Sequence, residues 1–174
     1  MARKRWNIVN QHALRIYANR DRYAYLYGAN GEIGSDALVD RLWAAYPNHF
    51  QQAVIAKGYT KQQLKDHVRG KICLDCSAFI CYVTQVEDFG KLRVVNDYNS
   101  TGLRGCFAVK RTPVGGTAGS VLWKQGHVAL DVGYGMCVDF GNEFLDCRMY
   151  PLDGCGFVES GELNYVDYTD TNAR

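Results

Sequence analysis

Apolar residues return at Trp6, Val9, Ala13, Ile16 and Tyr17, the three- and four-residue steps of one helical face, and the pattern gives out at Asn19-Arg20-Asp21. A short aromatic run follows, Tyr23-Ala24-Tyr25-Leu26-Tyr27, closed by turn residues through Gly31. Ser35 reads as the cap of a second helix with Leu38, Leu42 and Ala45 on one side, and Pro47 ends it. Residues 48–57 and 60–69 predict two more short helices, each followed by glycine. A fifth begins after Asp75, where Cys76, Phe79, Ile80 and Val83 fall at the i, i+3, i+4, i+7 spacing of an inward face.

Past Val95 the character changes. Gly102, Gly105, Gly115, Gly116 and Gly119 punctuate a loop-rich stretch, and strands are expected at 121–123, 127–132, 136–140, 147–152 and 163–168. Helices first and antiparallel strands later predict an α+β domain. At 174 residues the chain suits one domain with a proper core, so residues 1–174 are taken as a single unit. A formal net charge of +2 gives no basic surface for nucleic acid. The start, Met1-Ala2-Arg3-Lys4-Arg5-Trp6, has the basic end of a secretion signal without its apolar run, and no stretch is long enough to insert in a bilayer. A product made in the cytoplasm without a signal peptide is therefore expected. The sequence does not bear on oligomeric state.

Seven cysteines, at 73, 76, 81, 106, 137, 147 and 155, make an odd set that suggests free thiols rather than a disulfide framework. Cys76 stands out among them. Asp75 can cap the helix, which puts the Cys76 sulfur in the first turn, where unpaired N–H groups and the helix dipole favour a thiolate and are expected to lower its pKa. A thiolate nucleophile needs a base, and four histidines are available. His12, His49 and His67 lie in predicted helices, where a solvated or capping role is the default, whereas His127 opens a strand directly after Gly126. A three-residue turn, Gly133-Tyr134-Gly135, would pair Val132 with Met136 and set Ala129 opposite Asp139, bringing Asp139 diagonally onto His127. Asp139 would then orient the imidazole, with Asp131, of the same strand parity as His127, as the rival for that role.

Asp75-Cys76-Ser77-Ala78-Phe79 resembles the D-C-S-G-F segment of the NlpC-type (NlpC and p-sixty) cell-wall cysteine peptidases. The stretch from Gly119 to Gly133 resembles their G-D-L-V-F…G-H-V-G-I-Y-L-G segment, and their third polar residue, most often histidine, falls on Asp139, twelve positions after His127. Tyr25-Leu26-Tyr27-Gly28-Ala29 looks like their Y-x-W-G-G segment, whose tyrosine hydroxyl contacts the cysteine, which nominates Tyr25. The resemblance implies a papain-like α+β fold and a peptidoglycan hydrolase with Cys76, His127, Asp139 and Tyr25 in the site and no cofactor. It implies cleavage of a stem-peptide amide, such as γ-D-glutamyl to diamino acid, or alternatively of the muramoyl–L-alanine amide. Without a signal, a phage or prophage lysin reaching the wall by holin-type release or phage delivery fits. The segment at about 32–71 is longer than the family's and is expected as a helical insertion that walls or covers part of the groove. Two readings of other classes stand beside this one: a non-catalytic wall-binding module, and a zinc module built on the Cys73-x-x-Cys76 pair.

Overall fold

Lys4 joins the start of the chain to the helix of Cys76. In the computed structural model, which describes residues 3–86, 96–112 and 117–169, it forms with Arg5 the short strand β1 (Lys4–Arg5). Its Nζ donates to the Val83 and Val86 carbonyls at 2.9 and 2.7 Å, and lies 2.7 Å from His12 Nδ1. Helix α1 (Trp6–Ala18) then buries Trp6, Val9, Ala13 and Ile16 as the periodicity predicts. His12 is not a solvated residue: burial, then the nearby Lys4 and Arg15 cations, push its pKa down to about 4.

A small sheet and a large one organise the rest. The small sheet has the order β2-β4-β3, from β2 (Tyr23–Tyr25), β3 (Asn30–Ile33) and β4 (Ile72–Leu74), with β4 parallel to β2 and antiparallel to β3. Strand alternation splits its side chains between two cores. Tyr23, Tyr25 and Leu74 enter the main core, while Ala24, Leu26 and Cys73 enter a second core with Leu38, Leu42, Phe50, Val54, Leu64 and Val68. These last come from the helices α2 (Asp36–Ala45), α3 (Pro47–Ala53) and α4 (Lys61–Val68), with Val54 just past the end of α3. Caps fix their starts: Ser35 Oγ accepts from the Leu38 N–H, and Thr60 with Gln63 forms a reciprocal capping box. Pro47, expected to end α2, sits in the first turn of α3, where its missing N–H costs nothing.

From β4 the chain passes through Asp75 into α5 (Cys76–Gln85). The periodicity predicts one inward face, but every residue from Cys76 to Thr84 is buried. The helix is wrapped by α1, β3, β7 and α6 (Ser100–Gly105), so no side is left for solvent. Its sheet is six-stranded and antiparallel, in the order β5-β10-β6-β7-β8-β9. Strands β6 (Val121–Lys124), β7 (His127–Gly133), β8 (Met136–Phe140) and β9 (Cys147–Pro151) follow the expected spans closely. Strand β5 (Phe107–Arg111) was not anticipated, and Gly115 and Gly116 lie outside the described residues. The expected strand at 163–168 is instead the end of β10 (Glu159–Leu163) and the short β11 (Val166–Asp167), which pairs in parallel with β1. Glu159, Ser160 and Gly161 lie before the expected span and join β10, which is paired on both sides. Among the described residues no helix is long and apolar enough to cross a membrane.

Phe79 links α5 to the sheet, its ring tilted against that of Phe140 at 5.2 Å in the main core. Phe79→Ala should lower the unfolding free energy by roughly 3–5 kcal/mol, the range for emptying a large buried aromatic site, as read by denaturant titration.

Candidate active site

The strand-to-helix joint at Asp75 sets the geometry. The Asp75 carboxylate accepts from the Ala78 N–H and the Ser77 hydroxyl, both at 2.8 Å, and from the Gly28 N–H at 3.2 Å, while its own N–H donates to the Ala29 carbonyl at 3.1 Å. The cap thus holds the turn after β2 against the start of α5. Burial pushes the Asp75 carboxyl above its usual range, opposed by these hydrogen bonds.

Cys76 follows in the first helical turn, only 7% exposed. Its sulfur takes the backbone N–H groups of Val128 and Ser77, so it lies against the head of β7. The expected lowering of its pKa is not what the structure gives. Burial, followed by the Asp75 carboxylate, pushes the thiol up to about 12, against the Val128 and Ser77 N–H groups. A helix N-terminus that has lost contact with water, with an anion as its cap, favours the neutral thiol.

At the head of β7, His127 Nε2 lies 2.7 Å from Asp139 Oδ2. The hairpin reaches this register by another route than the expected three-residue loop. Gly133 pairs with Met136 across a two-residue turn, Tyr134-Gly135, with φ of 55° and 71°. A one-residue irregularity between Asp131 and Gly133 then restores Asp131 opposite Cys137 and Leu130 opposite Val138. A two-residue turn alone would have sent Asp139 to the other face. Asp131 serves the irregularity: its Oδ1 accepts from the Gly133 N–H at 2.8 Å, and burial raises its carboxyl.

Asp139 has no solvent-exposed surface, and burial alone would raise its pKa, but hydrogen bonds from His127 and Arg148 outweigh this and hold it below the usual carboxylate range. Arg148 stands directly opposite on β9 and donates through Nε and Nη2 at 3.0 and 2.6 Å, and the Tyr150 hydroxyl donates at 2.8 Å. Phe157 stacks on the imidazole, centroids 5.8 Å apart and planes 17° from parallel. Sequence reasoning missed Arg148, Tyr150 and Phe157. The first carries a readable signal, an opposite-charge pair across a hairpin, once the β8–β9 register is known.

Tyr25 is buried opposite Leu74, one strand step from Asp75. Burial, then the nearby Cys76 and Glu143, raise its hydroxyl pKa, which keeps it a proton donor. A cleft of about 460 Å3 opens beside Cys76, walled by Tyr27, Gly28, Asn30, Tyr46, Asp97 and Asn99 among others. The α2–α4 segment reaches it through Tyr46, whose ring meets that of Tyr27 edge-on at 5.1 Å, while its helices pack on the far side of the small sheet. His49 and His67 are not solvated either. His49 lies 3.0 Å from Glu143 and stacks on Tyr27, and His67 lies 2.9 Å from Asp146. Both carboxylates sit in the β8–β9 loop, which ties the α2–α4 segment to the large sheet. Cys73 and Cys76 belong to different cores, so the C-x-x-C pair does not converge on one metal site, and the described residues contain no metal-binding cluster of three or more His, Cys, Asp or Glu.

No family sequence model matches the chain, and no curated protein matches it by sequence. Solved structures do match its fold. The peptidoglycan hydrolase RipB from Mycobacterium tuberculosis superposes with a TM-score of 0.50 at 12% identity over 92% of this chain, which spans 66% of that structure. The P60 domain of the M. avium subspecies paratuberculosis antigen MAP1204 gives the same score and identity, over 91% of this chain and 96% of its own. At this identity the likeness establishes the α+β fold, helices against an antiparallel sheet.

Because Asp139 is held below its unfolded value of about 3.9, it stays ionised in the native state at a pH where the unfolded chain has bound the proton. Its contribution to stability is full above that value and is lost as pH falls through the native one. The stability difference between wild type and Asp139→Asn should therefore shrink on acidification below about pH 4 in urea unfolding series.

Proposed function

We propose that this protein is a cysteine peptidase acting on peptidoglycan, with Cys76 as nucleophile, His127 as general base and acid, and Asp139 orienting the imidazole. The observation that carries the reading is the join at the head of β7: the Cys76 thiol rests on the Val128 N–H, and the adjacent His127 is fixed through Nε2 by Asp139 at 2.7 Å. That bond leaves Nδ1 for the thiol proton. In the free enzyme the thiol is engaged by backbone donors, and the reading requires His127 Nδ1 to reach the sulfur once substrate fills the cleft, a common difference between free and bound states.

The reaction is acyl transfer. His127 takes the thiol proton as the sulfur attacks the amide carbonyl carbon, giving a tetrahedral oxyanion that the Cys76 N–H and the Tyr25 hydroxyl can hold. The C–N bond then breaks, His127 protonates the leaving amine, and a thioester remains. Water, deprotonated by His127, attacks the thioester and releases the carboxylate and the thiol. The fold shared with RipB, a peptidoglycan hydrolase, and with a P60 domain supports cell-wall peptide as the substrate class. Within it, a γ-D-glutamyl–diamino acid bond is the proposed target.

Cys76→Ala and His127→Ala should each cut release of peptides from purified peptidoglycan by at least about 10³-fold, with native circular dichroism retained. Cys73→Ala and Cys81→Ala, which lie in packing positions, should keep activity. Mass spectrometry of the fragments reads the bond: a new amine on the diamino acid supports the proposed target, and free muramoyl lactyl ends would replace it with amidase cleavage. An essential Cys73 with a dispensable Cys76 would overturn the assignment.

A further inference from the structure

Asp139 holds more donors than the orientation of one imidazole requires. Oδ2 meets His127 Nε2 at 2.7 Å, Arg148 Nη2 at 2.6 Å and the Tyr150 hydroxyl at 2.8 Å, and Oδ1 meets Arg148 Nε at 3.0 Å. Two-pronged guanidinium–carboxylate pairing is the strong, oriented form of this contact. Its result is an aspartate–arginine unit without net charge, set beside the imidazole.

Independent features keep the guanidinium there. A Cβ at Gly141 would stand 2.7 Å from both Arg148 Nε and Cζ, so the close approach depends on glycine at that position. The guanidinium carbon also lies 5.1 Å from the centre of the Tyr150 ring. The remaining groups around the dyad do not substitute for it. Asp75 caps α5 and Cys76 opens it, while Cys137 and Cys147 come from β8 and β9. Lys124, paired with His127 across β6 and β7, spends its ammonium on the Cys155 carbonyl at 3.1 Å and the Phe157 ring at 4.9 Å.

A carboxylate that keeps its full charge stabilises a neighbouring imidazolium and, through it, a thiolate. A carboxylate already matched by a guanidinium does so much less. We infer that Arg148, supported by Tyr150 and Gly141, is a positioning residue that fixes Asp139 on His127 while withholding most of its charge from the imidazole. The Cys76–His127 pair is thereby kept neutral at rest and charges only on reaction. This rests on the thiol chemistry proposed above.

The test reads the thiol rather than peptidoglycan turnover. Alkylation of Cys76 by iodoacetamide is followed across pH on the full chain, with the modified peptide quantified by mass spectrometry. Arg148→Met should move the midpoint of the pH–rate profile about one unit lower, so that Cys76 reacts about tenfold faster below the wild-type midpoint. Gly141→Ala, which displaces the guanidinium tip without removing it, should shift the profile the same way, and it decides the matter if Arg148→Met does not fold. Arg148→Lys, keeping the charge, should stay near wild type. Midpoints unchanged or raised in folded Arg148→Met and Gly141→Ala would overturn the inference. An unchanged profile in His127→Ala would instead overturn the thiol–imidazole reading beneath it.

Discussion

The Asp75 carboxylate is the point on which this architecture turns. It closes the first turn of α5 through the Ala78 N–H and the Ser77 hydroxyl, and it reaches back to Gly28. One side chain thus fixes where the helix starts, which residue stands in its first turn, and how the Tyr25–Asn30 segment sits against it. Burying a carboxylate is costly unless its hydrogen bonds are satisfied, so the cap holds only because three donors converge on it. The same burial that makes the joint rigid surrounds Cys76 with apolar packing, and a neutral thiol in the free state follows.

The second constraint is the small sheet. Because β2 and β4 are short and covered on both faces, each alternate residue commits to a different core. Cys73 and Cys76 are three residues apart and end up in separate cores for this reason. Helices α2, α3 and α4 therefore form an additional packed layer on the small sheet. Its hold on the large sheet comes through the β8–β9 loop, where Glu143 meets His49, Asp146 meets His67, and Phe144 stacks on Tyr59 at 4.1 Å. That loop begins just after Asp139 and ends just before Arg148, and Phe144 and Asp146 adopt left-handed backbone with φ of 71° and 45°. Such conformations persist only where the surroundings fix them. The α2–α4 segment thus braces the β8–β9 hairpin.

Much of this was legible in the chain where a residue's role is local. Caps at Ser35, Thr60 and Asp75, the glycines after helices, and the strands 127–132 and 136–140 follow from short-range chemistry, and so does the parity that brings Asp139 toward His127. What could not be read depends on partners distant in sequence. His49 and His67 look like surface helix residues until the β8–β9 loop is folded over them. The start of strand β10, Glu159 to Gly161, lies outside the expected strand at 163–168, and pairing with β5 and β6 is what makes it one. The thiol shows the same limit: the helix dipole is local and was read, whereas its desolvation by the surrounding layers was not.

Residue 139 sets the remaining requirement. A histidine there, as in the family that the motifs resemble, would be buried neutral and need no countercharge. An aspartate with no exposed surface does need one, since an unpaired buried carboxylate either costs several kcal/mol or takes up a proton. Arg148 opposite it supplies the charge, Tyr150 a further donor, and Gly141 the space in which the guanidinium lies. A protonated Asp139 could still bond to His127, but it would no longer stabilise an imidazolium. The four residues are therefore one solution: the hydrogen bonds from His127, Arg148 and Tyr150 together keep the aspartate ionised, and the arginine sets how much of that ionisation the histidine feels.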